Sequence, residues 1–210
     1  MWYLEAFSSR HDVSIFDAAE SFSKAVGEQE EYMFSGGFDL YEVELDDEYE
    51  EVDPKELIAT VRAVFFDEDK ILNEGQDIVD IADMTNSDTC GAIAALTKSK
   101  IHNQQLDDDK LFLPLFSSYI QRIYVYPKFR SSGVARYIFN NMADIFLHCF
   151  NTNIHSFVIC PKPQQPDIHG NWSDSPDEND TMLKRMILLL KKSGYKKIYN
   201  SEYYAVNCAI

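Results

Sequence analysis

The chain predicts an α/β (α+β) fold in a single domain, on three observations. Residues 119–136, YIQRIYVYPKFRSSGVAR, read as an apolar strand (Ile120, Ile123, Val125) stopped by Pro127, then a basic turn with Lys128 and Arg130, then Ser-Ser-Gly opening an amphipathic helix at Val134. Strand-like and helix-like runs alternate on both sides of this stretch. A length of 210 residues suits one sizeable core, and 45% hydrophobic content with 13% aromatics argues against disorder.

In chain order, residues 1–36 read as an N-terminal helical extension. Its aromatic start (Trp2, Tyr3, Leu4, Phe7) needs a cover, and Ser14 caps a helix whose stripe is Ile15, Phe16, Ala19, Phe22 and Val26. Gly36-Gly37 punctuate, and the alternation from Phe38 to Leu45 predicts a strand. The acidic run from Glu42 to Asp53 is either a solvated hairpin end or a lure for an amine. Asp53-Pro54-Lys55-Glu56 fits a capped helix start, yet Ile58, Thr60, Val61, Val64, Phe65 and Phe66 are strand formers, and a strand is the preferred reading.

Residues 71–96 predict one or two helices broken near Asn86-Ser87-Asp88, and 98–110 a polar loop. A short strand at 111–117 is expected to pair with 119–126. The helix from Val134 buries Tyr137, Ile138, Met142, Ile145, Phe146 and Cys149 and fades by Asn151, and 154–160 follows as a buried strand. Residues 161–178, with four prolines and Trp172, predict a long loop in which Trp172 either faces a substrate or pins the loop. Asn179 or Asp180 caps the last helix, with stripe Met182, Leu183, Met186, Leu189 and Leu190, and Gly194 ends it. A terminal hairpin turns at Asn200-Ser201.

Composition narrows the function. A formal net charge of −16 disfavours nucleic-acid binding, because phosphate is repelled over most of the surface; it suits a cationic substrate, and equally serves solubility alone. Cys90, Cys149, Cys160 and Cys208 form no CxxC pair and the histidines show no ligand spacing, so no metal site is expected. With no leader pattern and no apolar run near the ~18 residues of a membrane span, the expected location is cytoplasmic, with free thiols and no membrane partner. Against this acidity, no Asp or Glu occurs from Lys110 to Ala143. A helix start there offers unpaired N–H groups and the positive end of the macrodipole, so an anion such as phosphate is expected at this turn.

The turn Arg130-Ser131-Ser132-Gly133-Val134-Ala135, preceded by a strand ending in Val125-Tyr126-Pro127, resembles the Arg/Gln-x-x-Gly-x-Gly/Ala signature of the GCN5-related N-acetyltransferases (GNAT). Ser193-Gly194-Tyr195 is similar to the family's closing Gly-aromatic pair. The resemblance covers roughly the C-terminal half; the N-terminal half matches only in order of elements. It implies one GNAT-like domain over 1–210, with a mixed, largely antiparallel twisted sheet, helices on both faces, and a V-shaped gap between the strands near 120–126 and 154–160. It implies acetyl-CoA as co-substrate and no metal. The pyrophosphate would lie on backbone N–H groups of Ser131, Ser132, Gly133, Val134, Ala135 and Arg136, with Lys128, Arg130 and Arg136 as charge partners. The pantetheine arm would run along Ile123, Tyr124 and Val125, and a backbone N–H near Tyr124 or Val125 would hold the oxyanion. The acceptor is expected to be a small cationic amine or a basic peptide.

Two positions depart from the family pattern. Leu190 stands where a Tyr usually protonates the leaving thiolate, and Ser131 where Gly is common. Tyr195, Tyr124 and Cys160 are substitute acids, and Asp80, Asp83 or a member of the Glu42–Asp53 run could orient an amine, so acid and base stay unassigned. These departures also suit a non-catalytic acyl-CoA-binding or protein-interaction module, and a phosphate-binding strand-turn-helix of another α/β fold remains open.

Overall fold

The spine of the protein is β3 (Glu51–Asp67), which lies between two cores. Ala59, Val61, Ala63 and Phe65 belong to one apolar cluster, while Val64 and Phe66 belong to the other. The computed structural model describes residues 2–8, 32–45, 51–99, 115–166, 172–174 and 179–208. A strand covered on both faces has a near-continuous apolar sequence. That is why 57–66 also fits helical spacing, and why the strand reading holds.

β3 pairs antiparallel with β2 (Met33–Leu45) and with β4 (Leu115–Val125), and β1 (Trp2–Ser8) adds to the outer edge of β2. Beyond β4 come β5 (Asn153–Ile159), β9 (Tyr204–Asn207) and β8 (Lys196–Lys197), giving a seven-stranded sheet of order β1-β2-β3-β4-β5-β9-β8. Among the described strands only β4 and β5 run parallel, and α4 (Val134–Phe150) makes the crossover that such a pair requires. α4 and α5 (Asn179–Lys192) lie against one core, through residues such as Ile138, Phe146 and Leu190. Three short helices lie against the other: α1 (Glu68–Asn73), α2 (Ile78–Asp83) and α3 (Ser87–Thr97), through Ile71, Ala82, Ile93 and Leu96. Each has a side-chain cap, with Asp67, Asp77 and Asn86 accepting from backbone N–H groups of the first turn.

Several expectations are corrected. Trp2–Ser8, read within a helical extension over 1–36, is a sheet strand; the helix expected at 14–26 lies outside the described residues. Gly36-Gly37 sit inside β2 instead of punctuating it: a Cβ on Gly37 would meet the Val61 carbonyl at 2.0 Å, so the pair serves close strand approach. The break at Asn86 is as expected, but a third helix, α1, precedes it. The hairpin of 111–117 with 119–126 does not form, because 115–125 is one strand; 111–114 lie outside the described residues. Within the loop at 161–178 there is a two-stranded ribbon, β6 (Gln164–Pro166) with β7 (Trp172–Asp174). Of the acidic run, the described ends lie at the far end of the β2–β3 pair, where Glu44 and Leu45 pair with Val52 and Glu51; residues 46–50 lie outside the described residues.

Two details of β4 shape the surface around its C-terminal half. Against β3, Ala63 faces Ile120 while Arg62 faces Arg122, so Gln121 is an extra, bulged residue. Against β5, the ladder stops at the Ile120–Ile159 pair, just before Cys160-Pro161. Residues 121–125 thus continue beside β3 with no β5 partner.

Candidate functional site

β4 ends in a Pro127–Phe129 3-10 turn, which Phe129 N–H closes on the Tyr126 carbonyl at 2.9 Å. Ser131 (φ 67°) and Gly133 (φ 93°) then adopt left-handed backbone, and α4 starts. Gly133 is its N-cap and no side chain caps it; the first helical bond is Tyr137 N–H to the Gly133 carbonyl at 2.9 Å. Val134, Ala135 and Arg136 therefore carry the N–H groups that a helix leaves without an intrahelical partner. Ser132 Oγ donates back to the Phe129 carbonyl at 2.5 Å, which fixes the turn.

Of the three expected charge partners, Arg136 is exposed in the first turn of α4. Lys128 is ion-paired with Glu56 of β3, which raises its pKa. Arg130 folds back over β4, its Nε donating to the Val125 carbonyl at 3.0 Å and its guanidinium 5.3 Å from the Tyr124 ring centre. The structure thus brings Ser131, Ser132, Gly133, Val134, Ala135 and Arg136 together at one helix end, and draws Lys128 and Arg130 toward the β3–β4 pair. Ile123 and Val125 pack partly buried against the α4 core, whereas Tyr124 sits beside Tyr126 and Trp172 with ring centres 5.1 Å away in each case.

On the face of α1–α3, next to the end of the β4–β5 ladder, lies a cleft of about 560 Å³. Arg62, Tyr119, Arg122, Cys160, Lys162 and the α3 residue Asp88 are among its walls. Arg62 is held by Asp39, with N–O distances of 2.8 and 3.3 Å, and its guanidinium lies 3.9 Å from the Phe7 ring centre. Lys162 lies between Asp88 at 3.9 Å and Glu202 at 3.8 Å. Burial, then the Glu202 charge, pushes the Cys160 thiol up to about 12, so it is protonated at neutral pH. Burial, then Cys160, also lifts the Tyr119 hydroxyl well above the ordinary tyrosine range.

The substitute acids separate. Cys160 lines the cleft, and Tyr124 is on the same face of β4 as Arg122, two positions away. Tyr195 lies in the opposite core against Phe139, with ring centres 5.5 Å apart; its hydroxyl has no partner among the described residues, and burial raises its pKa. Leu190 is fully buried in that core. Asp80 and Asp83 are exposed on α2 and do not line the cleft. Trp172 pins its ribbon to β4, with the Arg122 guanidinium 3.9 Å from its ring centre.

The chain matches no family model and no curated protein.

Among the described residues, no group of three His, Cys, Asp or Glu side chains is placed to hold a metal, and no helix is long and apolar enough to cross a membrane. Sequence reasoning passed over Arg62, Arg122, Asp88 and Lys162. The signal for the first two was available: each is a lone cation inside an apolar strand run, where a charge needs a partner or a purpose.

Proposed function

We propose that the protein is an acetyl-CoA-dependent N-acetyltransferase of the GCN5-related type, acting on an amine held in the cleft beside Arg122 and Cys160. The observation that carries this reading is the parting of β4 from β5 after Ile120. Residues 121–125 then have no β5 partner among the described residues, and this edge of β4 leads through the 127–129 turn into a helix start that no side chain caps. A free strand edge and a row of free N–H groups, in line along the chain, fit a ligand that is amide-bearing at one end and pyrophosphate at the other.

The residues present fit that group. Ser131 and Gly133 in left-handed backbone turn the chain into α4, whose N–H groups at 134–136 favour negative charge. No carboxylate occurs between Lys110 and Ala143 to oppose it. The bound group would supply an activated acyl thioester. The chain's own part is to align the amine from the α1–α3 face and to accept its proton, often through water. With Tyr195 sealed in the other core, Tyr124 and Cys160 are the two of the three substitute acids that lie on the cleft side of β4, where either would return a proton to a leaving thiolate.

A second reading, an acyl-CoA-binding or protein-interaction module without turnover, is favoured by one observation: Leu190, at the position of the family's acid, is wholly buried. Calorimetry with acetyl-CoA tests what the two readings share, and absence of binding removes both. Thiol release from acetyl-CoA with a panel of amines then separates them, since binding without release leaves the module.

A further inference from the structure

Arg62 and Arg122 are directly opposed on β3 and β4, and two like charges facing each other across a sheet repel. The protein compensates one of them. Arg62 has the Asp39 carboxylate as well as the carbonyls of Val61 at 2.9 Å and Phe38 at 3.4 Å. Arg122 has none of this. Its Nε reaches Gln164 Oε1 at 3.5 Å, at the limit of a hydrogen bond, and its planar group lies on the Trp172 ring. Among the described residues no carboxylate lies within ion-pair distance of it, in a chain of net charge −16. Burial and the Arg62 charge both act to lower its pKa, as expected of a cation short of partners.

The arrangement suits an anion from outside. The Arg122 guanidinium lies over the Trp172 ring, and the same side chain lines the cleft. A planar carboxylate matches the guanidinium fork. The other cations of the cleft wall are already engaged, Arg62 by Asp39 and Lys162 by Asp88 and Glu202. Asp88 gives the same cleft a negative pole for an amine.

We infer that Arg122 is the anion anchor of the acceptor, so that the amine acetylated in this cleft belongs to a molecule that also carries a carboxylate, as an amino acid or a short peptide with a free C-terminus does. The inference rests on the acetyltransferase reading and narrows its acceptor from cationic amines to carboxylate-bearing ones.

The experiment has two arms on the full chain. In the first, acetyl-CoA binding is measured by calorimetry for the parent, Arg122→Gln and Arg122→Lys; equal affinities are expected, and no binding by the parent ends the acetyltransferase reading. In the second, thiol release is followed with matched acceptors: amino acids, their amides, the corresponding amines without carboxylate, and dipeptides ending in a free or amidated carboxyl. The parent should prefer the acid of each pair, and Arg122→Gln should lose that preference through KM by about ten- to a hundredfold, the usual effect of one charged hydrogen bond. Arg122→Lys should retain part of it. Free acids working and dipeptides failing would place the carboxylate next to the amine. Equal rates for acid and amide, or a preference that survives Arg122→Gln in a folded variant, would overturn the anchor. If no acceptor turns over, calorimetry of the same pairs decides: binding that distinguishes acid from amide and is lost in Arg122→Gln supports the anchor, and no such distinction overturns it.

Discussion

Replacing Gly133 separates the folding role of this turn from its binding role. Gly133 has φ 93°, and a Cβ built on it meets nothing within 4 Å. Gly133→Ala should therefore cost only the left-handed backbone penalty, about 1–2 kcal/mol. Gly133→Glu carries the same penalty, but its carboxylate sits at the N-cap of α4 and regains about 0.3–1 kcal/mol from the macrodipole. The Glu variant should thus unfold in urea no earlier than the Ala variant. Binding should rank them the other way. A carboxylate a few ångströms from a bound phosphate repels it by about 1–4 kcal/mol at surface-like dielectric, which weakens acetyl-CoA by roughly tenfold or more relative to Gly133→Ala. Added salt should recover part of the loss. The assay is urea unfolding and calorimetry on both variants in the same buffer. If Gly133→Glu binds acetyl-CoA within about twofold of Gly133→Ala, the start of α4 does not hold the anion.

Two further outcomes concern the cores. Glu68, at the start of α1 and bonded by the Ser117 hydroxyl, has its pKa raised to about 8 by burial and then by Asp69. The folded state then holds a proton that the unfolded chain releases near pH 4.5, so its contribution is fullest below that value and is lost as pH rises through 8. Urea unfolding should show a fall on the order of 2–4 kcal/mol across this window that Glu68→Gln abolishes, and an unchanged pH slope in Glu68→Gln would refute the assignment. Phe146 is fully buried, with Phe65, Phe38, Phe150 and Phe157 ring centres 4.9 to 5.8 Å away. Phe146→Ala should lower unfolding stability by about 3–5 kcal/mol; a loss below ~1 kcal/mol would mean that α4 does not close this core.

How much was legible in the sequence depended on whether the deciding interaction was local. The extent of α4 could be read from its stripe and its breaks, because Gly133 and Asn151 are residues that accept the left-handed backbone found at its two ends. β3 was readable for a different reason. β-branched and aromatic side chains outweighed a local capping pattern, since a strand between two cores buries both of its faces. Where the deciding partner was distant, local chemistry misled. Gly36-Gly37 looked like punctuation but answer to the Val61 backbone, and the division expected between strands 111–117 and 119–126 falls at Ser118, which is buried inside β4 beside Ser117, itself bonded to Glu68 and 3.3 Å from Ser156. The candidate site divides along the same line. The turn expected to hold an anion is a contiguous motif and could be read locally. The cleft wall depends on a one-residue bulge at Gln121, which sets Arg122 opposite Arg62; among the described residues Asp39 is the counter-ion of Arg62, and Arg122 has none. Single-strand patterning says that an arginine interrupts an apolar run; only the register of two strands says that two of them meet, and that meeting turns an isolated cation into a reason to expect an anionic group in the acceptor.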